Sequence, residues 1–302
     1  MTIFVVGSIN LDMIARVPRL PQPGETLAGL SFDMAPGGKG ANQALAARRA
    51  GADVRLYGAV GTDTNAQAAL SLLSEAGVEL SHVQHRDTTV PTGVALILVD
   101  AGTGENEIVV VAGANGTVNA TCVADVVLTG DDCVLLQLEV PSPAVGAALA
   151  ACQQSGARSL LNIAPYSNDA PGLVADADLT IANETEFDLL ADAMALAGTT
   201  REARAADFAR RTGKTMVVTL GGDGAFAAGP DGLVRAQAPK IEPVDTVGAG
   251  DTFCGYLGTA LSEGMALGDA LRLACASGAV ACLHRGAQPA IPTRQRVADF
   301  IA

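Results

Sequence analysis

The stretch Val244-Asp245-Thr246-Val247-Gly248-Ala249-Gly250-Asp251-Thr252-Phe253 follows a short apolar run and opens a long segment with helical apolar spacing. We therefore predict that its glycines lie where a loop becomes a helix. The N-terminus of a helix presents unpaired N–H groups and the positive end of the helix dipole. Glycines let the backbone approach a bound anion closely. The stretch therefore predicts an anion-binding site.

Asp251 lies at the start of this predicted helix, and its carboxylate has two interpretations. In a phosphoryl-transfer site it would accept the proton of a hydroxyl that attacks a phosphate held by Gly248, Ala249 and Gly250. Alternatively, Asp251 caps the helix while the glycines only form a turn. These residues alone leave both interpretations open.

Two commoner phosphate-binding motifs are excluded by their spacing. Gly248-Ala249-Gly250 begins like a dinucleotide fingerprint, but Phe253 occupies the third glycine position and no βαβ unit follows. Gly213-Lys214-Thr215 resembles the end of a P-loop, but Phe208 occupies its first glycine position and the triplet precedes a predicted strand. Neither motif is present.

Length and charge restrict the class of protein. With 302 residues, the chain can form two domains or one large α/β unit. A net charge of −13 argues against nucleic acid as a partner, so a bound nucleotide would need local dipoles and a cation. We find neither a long apolar run nor a signal-peptide pattern, which predicts no membrane span. The six cysteines lack metal-binding spacing, and we expect reduced thiols in the cytoplasm.

Two polar residues follow the first predicted strand, at residues 3–8. Asn10 and Asp12 are two positions apart and point the same way if the extended conformation continues. The carboxyl end of a first strand is where open α/β sheets bind ligands, and this pair suits a diol. A turn or an edge-strand pair is the alternative.

A glycine-rich loop at residues 36–43 is predicted to run into a helix at residues 44–50. Gly37 and Gly38 allow backbone contact with a ligand, and Lys39 and Asn42 would share a helical face. A solvated helix start is the plain alternative. Three glycines beside a lysine and an asparagine favour a functional role.

The segments 92–99 and 107–111, separated by a polar, glycine-containing turn, predict a β-hairpin that could cover the site. Glu139 follows the apolar strand at residues 134–138 and is expected to face a ligand, with a surface loop as the alternative. Asn183 and Glu186 form a capping-box pattern after another strand. Residues 221–224 form a glycine loop able to wrap a phosphate or ribose, or a simple turn.

Several of these motifs occur together in one order, and that order resembles the ribokinase-like sugar kinase family over nearly the whole chain. The matching segments are residues 7–12, 23–26, 37–43, 183–186, 245–253 and 286–289. The resemblance implies a doubly wound, mostly parallel α/β domain over residues 1–302, with a small β-sheet lid at about residues 12–35 and 92–112. It also implies ATP as donor, D-ribose as acceptor, Mg²⁺ and K⁺ as ions, and a homodimer formed through the lid.

The resemblance also implies residue roles. Asp251 is the base, and Gly248, Ala249 and Gly250 form the anion hole. Sugar-contacting positions are matched by Asn10, Asp12, Gly38, Lys39, Asn42, Glu139 and Asp251. Nucleotide positions are matched by Asn183, Thr219, Gly221, Gly222, Asp223, Gly224, Gly250 and Cys275. Glu186 matches the acid that holds magnesium-bound water, and the potassium positions are matched by Asp245, Val247, Ala281, His284, Gly286 and Ala290.

Two positions depart from the family pattern. Cys275 stands where relatives often place a histidine near the base, and Ala290 stands where a hydroxyl residue helps hold the cation. Deoxyribose, a ketohexose or a nucleoside are alternative acceptors. A sugar or nucleotide sensor without turnover is a further alternative, but it would have no use for Asp251 as a base.

Overall fold

A large sheet with helices on both faces forms the main body, and a small sheet stands beside it. The computed structural model describes residues 1–124 and 126–301, and within them the large sheet has nine strands and the small sheet four. The large sheet consists of β1 (Thr2–Val6), β4 (Asp53–Val60), β5 (Val83–His85), β8 (Cys133–Gln137), β9 (Arg158–Asn162), β10 (Leu179–Asn183), β11 (Thr215–Thr219), β12 (Ala225–Gly229) and β13 (Gly232–Ala236). The small sheet consists of β2 (Asn10–Val17), β3 (Ser31–Gly37), β6 (Gly93–Asp100) and β7 (Asn106–Val111).

The helices connect these strands. They are α1 (Lys39–Arg49), α2 (Thr64–Ala76), α3 (Ser142–Ser155), α4 (Ala170–Leu173), α5 (Glu184–Ala193), α6 (Arg201–Thr212), α7 (Ala249–Ser262), α8 (Leu267–Ala281) and α9 (Arg294–Ile301). Among the described residues, no helix is both long and apolar enough to cross a bilayer.

The large sheet is doubly wound, as the sequence predicts. Its strand order is β13-β12-β11-β10-β9-β8-β1-β4-β5, and only the β11–β12 and β12–β13 pairs of the named strands are antiparallel. The chain winds from β1 outward to β5 and then from β8 outward in the other direction. The point between β1 and β8 is therefore a topological switch point, where such sheets bind ligands.

Apolar side chains of β1 alternate between two buried clusters, one on each face of the sheet. Ile3 and Val5 pack with residues of α1, α2, α7 and α8, whereas Phe4 and Val6 pack with residues of α3, α5 and α6. Small residues bring α1 and α7 close together, because a Cβ added at Gly255 would lie 2.5 Å from the Ala46 Cβ. This close contact places the start of α7 beside the start of α1.

The small sheet has the order β3-β2-β6-β7 and contains the predicted hairpin as the antiparallel pair β6 and β7. The chain passes from the large sheet into the small sheet directly after β1, because β2 begins at Asn10. Eight large apolar residues of this sheet and its margin are exposed, namely Leu30, Phe32, Met34, Leu96, Ile108, Val109, Val110 and Val111.

Two element boundaries differ from the sequence prediction. The first strand ends at Val6, and α1 begins at Lys39, so residues 39–43 of the predicted glycine-rich loop are helical. Gly38 precedes α1 with φ 87°, a left-handed conformation that favours glycine, and this early turn allows the helix to start. The predicted start of α7 is confirmed, because Gly248 precedes Ala249.

Candidate active site

Asp251 lies in the first turn of α7 and is 7% exposed. Its Oδ2 accepts a hydrogen bond from Asn42 Nδ2 at 2.9 Å, and its Oδ1 accepts one from Gln43 Nε2 at 3.0 Å. Gly248 takes the N-cap position, and no side chain caps the helix. The interpretation of Asp251 as a helix cap is therefore wrong, and its carboxylate is held instead by two amides of α1.

The glycines before Asp251 differ in their surroundings. Gly248 has φ 76°, and a Cβ there would lie 2.9 Å from the Ala287 Cα, so the turn requires glycine. A Cβ at Gly250 would meet nothing within 4 Å, which leaves that face of the helix start open. The Ala249 N–H points back to the Thr246 carbonyl at 3.3 Å.

A cavity of about 230 Å³ opens at this helix start. It is lined by Lys39, Asn162, Ala164, Ile181, Ala182, Asn183, Glu186, Thr219, Thr246, Gly248, Gly250, Asp251 and Cys254. Residues matched to sugar positions, to nucleotide positions and to the anion hole thus line the same cavity. The cavity lies at the carboxyl ends of β9, β10 and β11, on the same edge of the sheet as the switch point between β1 and β8 and to one side of it.

Asn10 and Asp12 are both buried on β2, where they share one face of the strand. Asn10 Oδ1 accepts a hydrogen bond of 2.7 Å from Asn115 Nδ2, which turns the Asn10 amide so that its NH₂ group is the end left for a ligand. The Asp12 carboxyl fills the space beside Gly37, where a Cβ would lie 2.2 Å from Oδ2.

Burial is the largest cause that raises the pKa of the Asp12 carboxyl to about 7; the nearby carboxylates of Glu139 and Asp251 contribute to the rise, and the Lys39 ammonium opposes it. For Lys39, burial lowers the pKa, but the carboxylates of Asp251, Glu139 and Glu186 outweigh it, so the pKa lies above its usual value. The site thus gathers several carboxylates around one ammonium.

Glu139 connects the two sides of the switch point. Its Oε2 accepts hydrogen bonds from Ser8 Oγ at 2.5 Å and from the Lys39 N–H at 3.0 Å. Ser8 follows β1 and Glu139 follows β8, so the contact joins the ends of neighbouring strands. Glu139 therefore lies at the site and not on a surface loop.

The glycines of the α1 segment mainly allow close packing within the protein. A Cβ at Gly38 would lie 2.7 Å from the Asn10 nitrogen, and one at Gly40 would lie 2.5 Å from the Gly7 carbonyl carbon. These close contacts let α1 dock against the turn between β1 and β2. Ligand contact by the backbone of Gly37 and Gly38 stays a prediction.

The structure places only some of the residues matched to nucleotide positions at the cavity. Asn183 and Glu186 form the predicted capping box at the start of α5, and both line the cavity with Thr219. Gly221, Gly222 and Asp223 form an exposed turn, whereas a Cβ at Gly224 would lie 2.1 Å from the Ala236 carbonyl oxygen.

Cys275 is buried in α8 and lies outside the cavity lining. Burial raises the pKa of its thiol to about 11, so it is neutral at physiological pH. The structure therefore shows no contact between Cys275 and the space that the other nucleotide residues line.

The residues matched to a potassium site lie on two adjoining segments. Asp245 Oδ1 accepts a hydrogen bond from the Val247 N–H at 3.0 Å, and Oδ2 accepts one from the Gly286 N–H at 2.9 Å. The segments are also joined by the Val244 N–H and the Cys282 carbonyl at 2.8 Å. Asp245 is half-buried.

The remaining potassium positions begin at Ala281, the last residue of α8, and continue after the helix. Ala281 and Ala290 are buried, and the exposed His284 ring contacts the Arg296 guanidinium. Carboxylate and carbonyl oxygens are suitable ligands for a monovalent cation, and this pair of turns provides both. Among the described residues, no group of three or more His, Cys, Asp or Glu side chains could hold a metal by itself.

Sequence reasoning missed several residues that complete the site. They are Ser8, Gln43, Asn115, Gln137, Asn162, Thr246 and Cys254. Gln137 had a detectable signal, because it is a polar residue at the end of an apolar strand and is fully buried. Asn115 had none, since it lies in a short helical turn with no neighbouring motif.

Sequence comparison places this chain in a known class of enzyme, the carbohydrate kinases. The sequence matches the pfkB family carbohydrate kinases over residues 2–294. The chain belongs to the pfkB family of carbohydrate kinases, which confirms the resemblance inferred from its motifs.

Its relatives match over almost their full length. The chain is 34% identical over 304 residues to ribokinase of Haemophilus influenzae, covering 99% of this chain and 98% of the relative. It is 33% identical over 303 residues to ribokinase of Bacillus subtilis, covering 99% of both.

Two solved structures share the fold. Ribokinase of Thermotoga maritima has a TM-score of 0.88 at 28% identity, covering 100% of this chain and 99% of that chain. Arabidopsis thaliana ribokinase, solved with ribose and ATP, has a TM-score of 0.86 at 28% identity, covering 99% and 98%. The α/β fold with a small lid sheet is thereby confirmed.

Proposed function

We propose that this chain transfers the terminal phosphoryl group of ATP to the primary hydroxyl of D-ribose, giving ribose 5-phosphate. The observation that carries the proposal is that Asp251 and Lys39 line one cavity, while the buried Asp12 carboxyl of the lid strand lies within electrostatic range of both. The relatives named above are ribokinases, and one of them was solved with both ribose and ATP.

In the proposed reaction, Asp251 accepts the proton of the attacking hydroxyl. The N–H groups of residues 248–250 stabilise the charge on the transferred phosphoryl group. In a loose phosphoryl-transfer transition state the nucleophile keeps its proton until late, so positioning and charge stabilisation dominate. Burial and two amide donors hold Asp251 for that task.

The acceptor sugar would be bound mainly by hydrogen bonds, with some side chains donating to its hydroxyl groups and others accepting from them. Asn10 donates its NH₂ group, Asp12 accepts hydroxyl hydrogens, and the unpartnered Asn42 Oδ1 accepts another. Lys39 and Glu139 border this space, and the backbone of Gly38 completes it. A sugar lacking a hydroxyl would leave one of these buried groups unpaired.

The nucleotide would lie on the other side of the cavity. We assign its binding to Asn183, Thr219 and Gly250, which line the cavity, and to Gly221, Gly222, Asp223, Gly224 and Cys275, which would contact the part of the nucleotide that extends beyond it. Glu186 borders the cavity and would hold Mg²⁺ through water, since Mg²⁺ binds through one or two carboxylates together with substrate phosphates. Bound there, Mg²⁺ would neutralise charge on the phosphates.

The test of this function is steady-state kinetics on a panel of D-ribose, deoxyribose, a ketohexose and a nucleoside, with ATP as donor. We expect D-ribose to have the highest kcat/KM. A preference of more than about tenfold for another acceptor, roughly 1.4 kcal/mol of transition-state binding, would show that the ribose assignment is wrong. No turnover of any acceptor would favour a sensor.

We also propose a potassium site formed by the Asp245 carboxylate and carbonyls of Val247, Ala281, His284, Gly286 and Ala290. A cation there would order the turn that precedes α7, so that its N–H groups face the phosphoryl group. The hydrogen bonds that already join the two segments support this arrangement.

Replacing Na⁺ with K⁺ at constant ionic strength should raise kcat several-fold, because an ordered turn presents preorganised N–H groups. Asp245→Ala should lose this response, and initial rates in the two salts would measure it. Equal rates in both salts for the wild type would mean that no activating site exists here.

We further propose a homodimer formed through the lid sheet. Phe32, Met34 and Val109 are exposed by 60%, 58% and 59%, and they belong to one small sheet. A contiguous apolar face of this kind is typical of an interface, and a second copy of the chain could cover it through two-fold symmetry.

Met34→Lys combined with Val109→Lys should convert the dimer to a monomer, since charges would be buried at the interface. Light scattering after gel filtration would measure the mass. Val127→Lys is the matched control, because Val127 is 77% exposed and lies outside the lid sheet. A wild-type monomer at micromolar concentration would refute the proposal.

We propose in addition that residues 1–302 act as one kinase domain, with a lid at about residues 12–35 and 92–112, in the cytoplasm. A single cooperative unfolding transition would support one domain. Cell fractionation would test the cytoplasmic location.

A further inference from the structure

Two buried glutamines form a chain of hydrogen bonds that ends on Asp251. Gln137 Nε2 donates to Gln43 Oε1 at 2.7 Å, and Gln43 Nε2 donates to Asp251 Oδ1 at 3.0 Å. Gln137 is 0% exposed and Gln43 is 1% exposed. Neither borders the cavity, so neither contacts a ligand there.

The direction of this chain follows from its last member. An ionised carboxylate can only accept hydrogen bonds, so Gln43 must turn its NH₂ group toward Asp251. The Gln43 carbonyl oxygen then faces Gln137, which must in turn present its own NH₂ group. The arrangement is therefore a one-way series of donors directed at the carboxylate.

The protein keeps this direction despite an unfavourable consequence at the far end. Gln137 Oε1 is buried and has no hydrogen-bond partner among the residues that the structure describes. Gly7 makes room for that oxygen, because a Cβ at Gly7 would lie 1.9 Å from it. An apolar side chain of similar size would fill the same space without an unpaired oxygen. Packing alone therefore does not account for a glutamine at position 137.

The other oxygen of Asp251 is held separately. Asn42 Nδ2 donates to Oδ2, and its own Oδ1 has no partner in the structure. Donors on both oxygens prevent the carboxylate from rotating about its Cβ–Cγ bond. Of the two donors, Gln43 is itself held by a further buried side chain, that of Gln137.

We propose that Gln43 and Gln137 are positioning residues that fix the orientation of the Asp251 carboxylate toward the acceptor hydroxyl. This proposal rests on the proposed function, in which Asp251 is the base. Gln43 acts on Asp251 directly, and Gln137 acts only through Gln43. A base that must meet a hydroxyl late in the reaction depends strongly on orientation, because small displacements of reacting groups slow catalysis.

The test uses the full 302-residue chain with the best acceptor from the sugar panel. Gln137→Met keeps the shape but removes the donor, and it should lower kcat about tenfold with both KM values within about twofold. Gln43→Met should lower kcat further. In the double variant kcat should equal that of Gln43→Met, because Gln137 has no other route to Asp251.

Thr180→Val is the matched control. Thr180 is 0% exposed in β10 of the same sheet, its hydroxyl also lacks a partner, and it lies outside the cavity lining. Its kcat should match the wild type. Urea unfolding would verify that each variant is folded. If Gln137→Met does not fold, Gln137→Asn makes the same break, because its amide is one methylene too short to reach Gln43.

The outcomes separate this proposal from the proposed function. If Asp251→Asn is inactive but folded Gln137→Met keeps kcat within about twofold of the wild type, the positioning role is wrong. It is also wrong if the two single effects multiply in the double variant. If the wild type phosphorylates no sugar, or Asp251→Asn stays active, the proposed function itself fails and this proposal falls with it.

Discussion

Asp251→Asn should abolish sugar phosphorylation while leaving the binding of ATP and sugar within about tenfold of the wild type, because general-base effects on rate are commonly ~10²–10⁴. The amide is nearly isosteric with the carboxylate, and it loses the capacity to accept a proton. Initial-rate kinetics would measure kcat, and equilibrium binding of each substrate would be measured by calorimetry.

Asp269→Asn is the control for this variant. Asp269 also lies in the first turn of a helix, α8, but its side chain is exposed and pairs with Arg272. Its kcat should be unchanged. Activity of Asp251→Asn above about a tenth of the wild type would be too high for a lost general base and would remove Asp251 from that role.

Asp12→Ala should raise the KM for the sugar by roughly 10–100-fold, since buried sugar hydroxyls would lose an ionised acceptor. The KM for ATP should change much less, because Asp12 lies on the lid strand and outside the cavity shared by the nucleotide residues. Steady-state kinetics with each substrate varied would give both constants. Equal changes in the two KM values would contradict a sugar-binding role.

The raised pKa of Asp12 predicts that the KM for the sugar depends on pH. The pKa of Asp12 is raised to about 7, so its carboxyl gains a proton as pH falls below 7 and accepts hydroxyl hydrogens less well. The KM for the sugar should therefore rise as pH falls from about 8 to about 6, by at most about tenfold for a single titrating group. Asp12→Asn cannot titrate and should show a flat profile over this range. A wild-type profile that is also flat would mean that the charge of Asp12 is not needed.

The structure settles some interpretations that the sequence left open. Asp251 could have been a helix cap, but its carboxylate is turned toward α1 and Gly248 takes the N-cap position. Glu139 could have lain on a surface loop, but it contacts Ser8 and Lys39. The sequence shows only which residues are neighbours along the chain. In both cases, the correct interpretation depended on a contact with a residue far away in the sequence.

Local features of the fold could be predicted because their causes lie within a few residues. The start of α7 depends on Gly248, and the capping box of α5 depends on Asn183 and Glu186 three positions later. The hairpin of β6 and β7 similarly depends on alternating apolar residues and one turn. The order of such motifs was also sufficient to indicate the carbohydrate kinase family, which the comparison confirms.

By itself, the sequence determined the α/β class, the start of α7 and the residue types available for phosphoryl transfer. Only the tertiary structure decided which side chains hold Asp251, because Asn42 is separated from it by 209 positions and Gln43 by 208. The same holds for Gln137, which reaches Gln43 across 94 positions. Such contacts arise from the packing of α1, α7 and β8 around the switch point, and residue spacing along the chain carries no record of that packing.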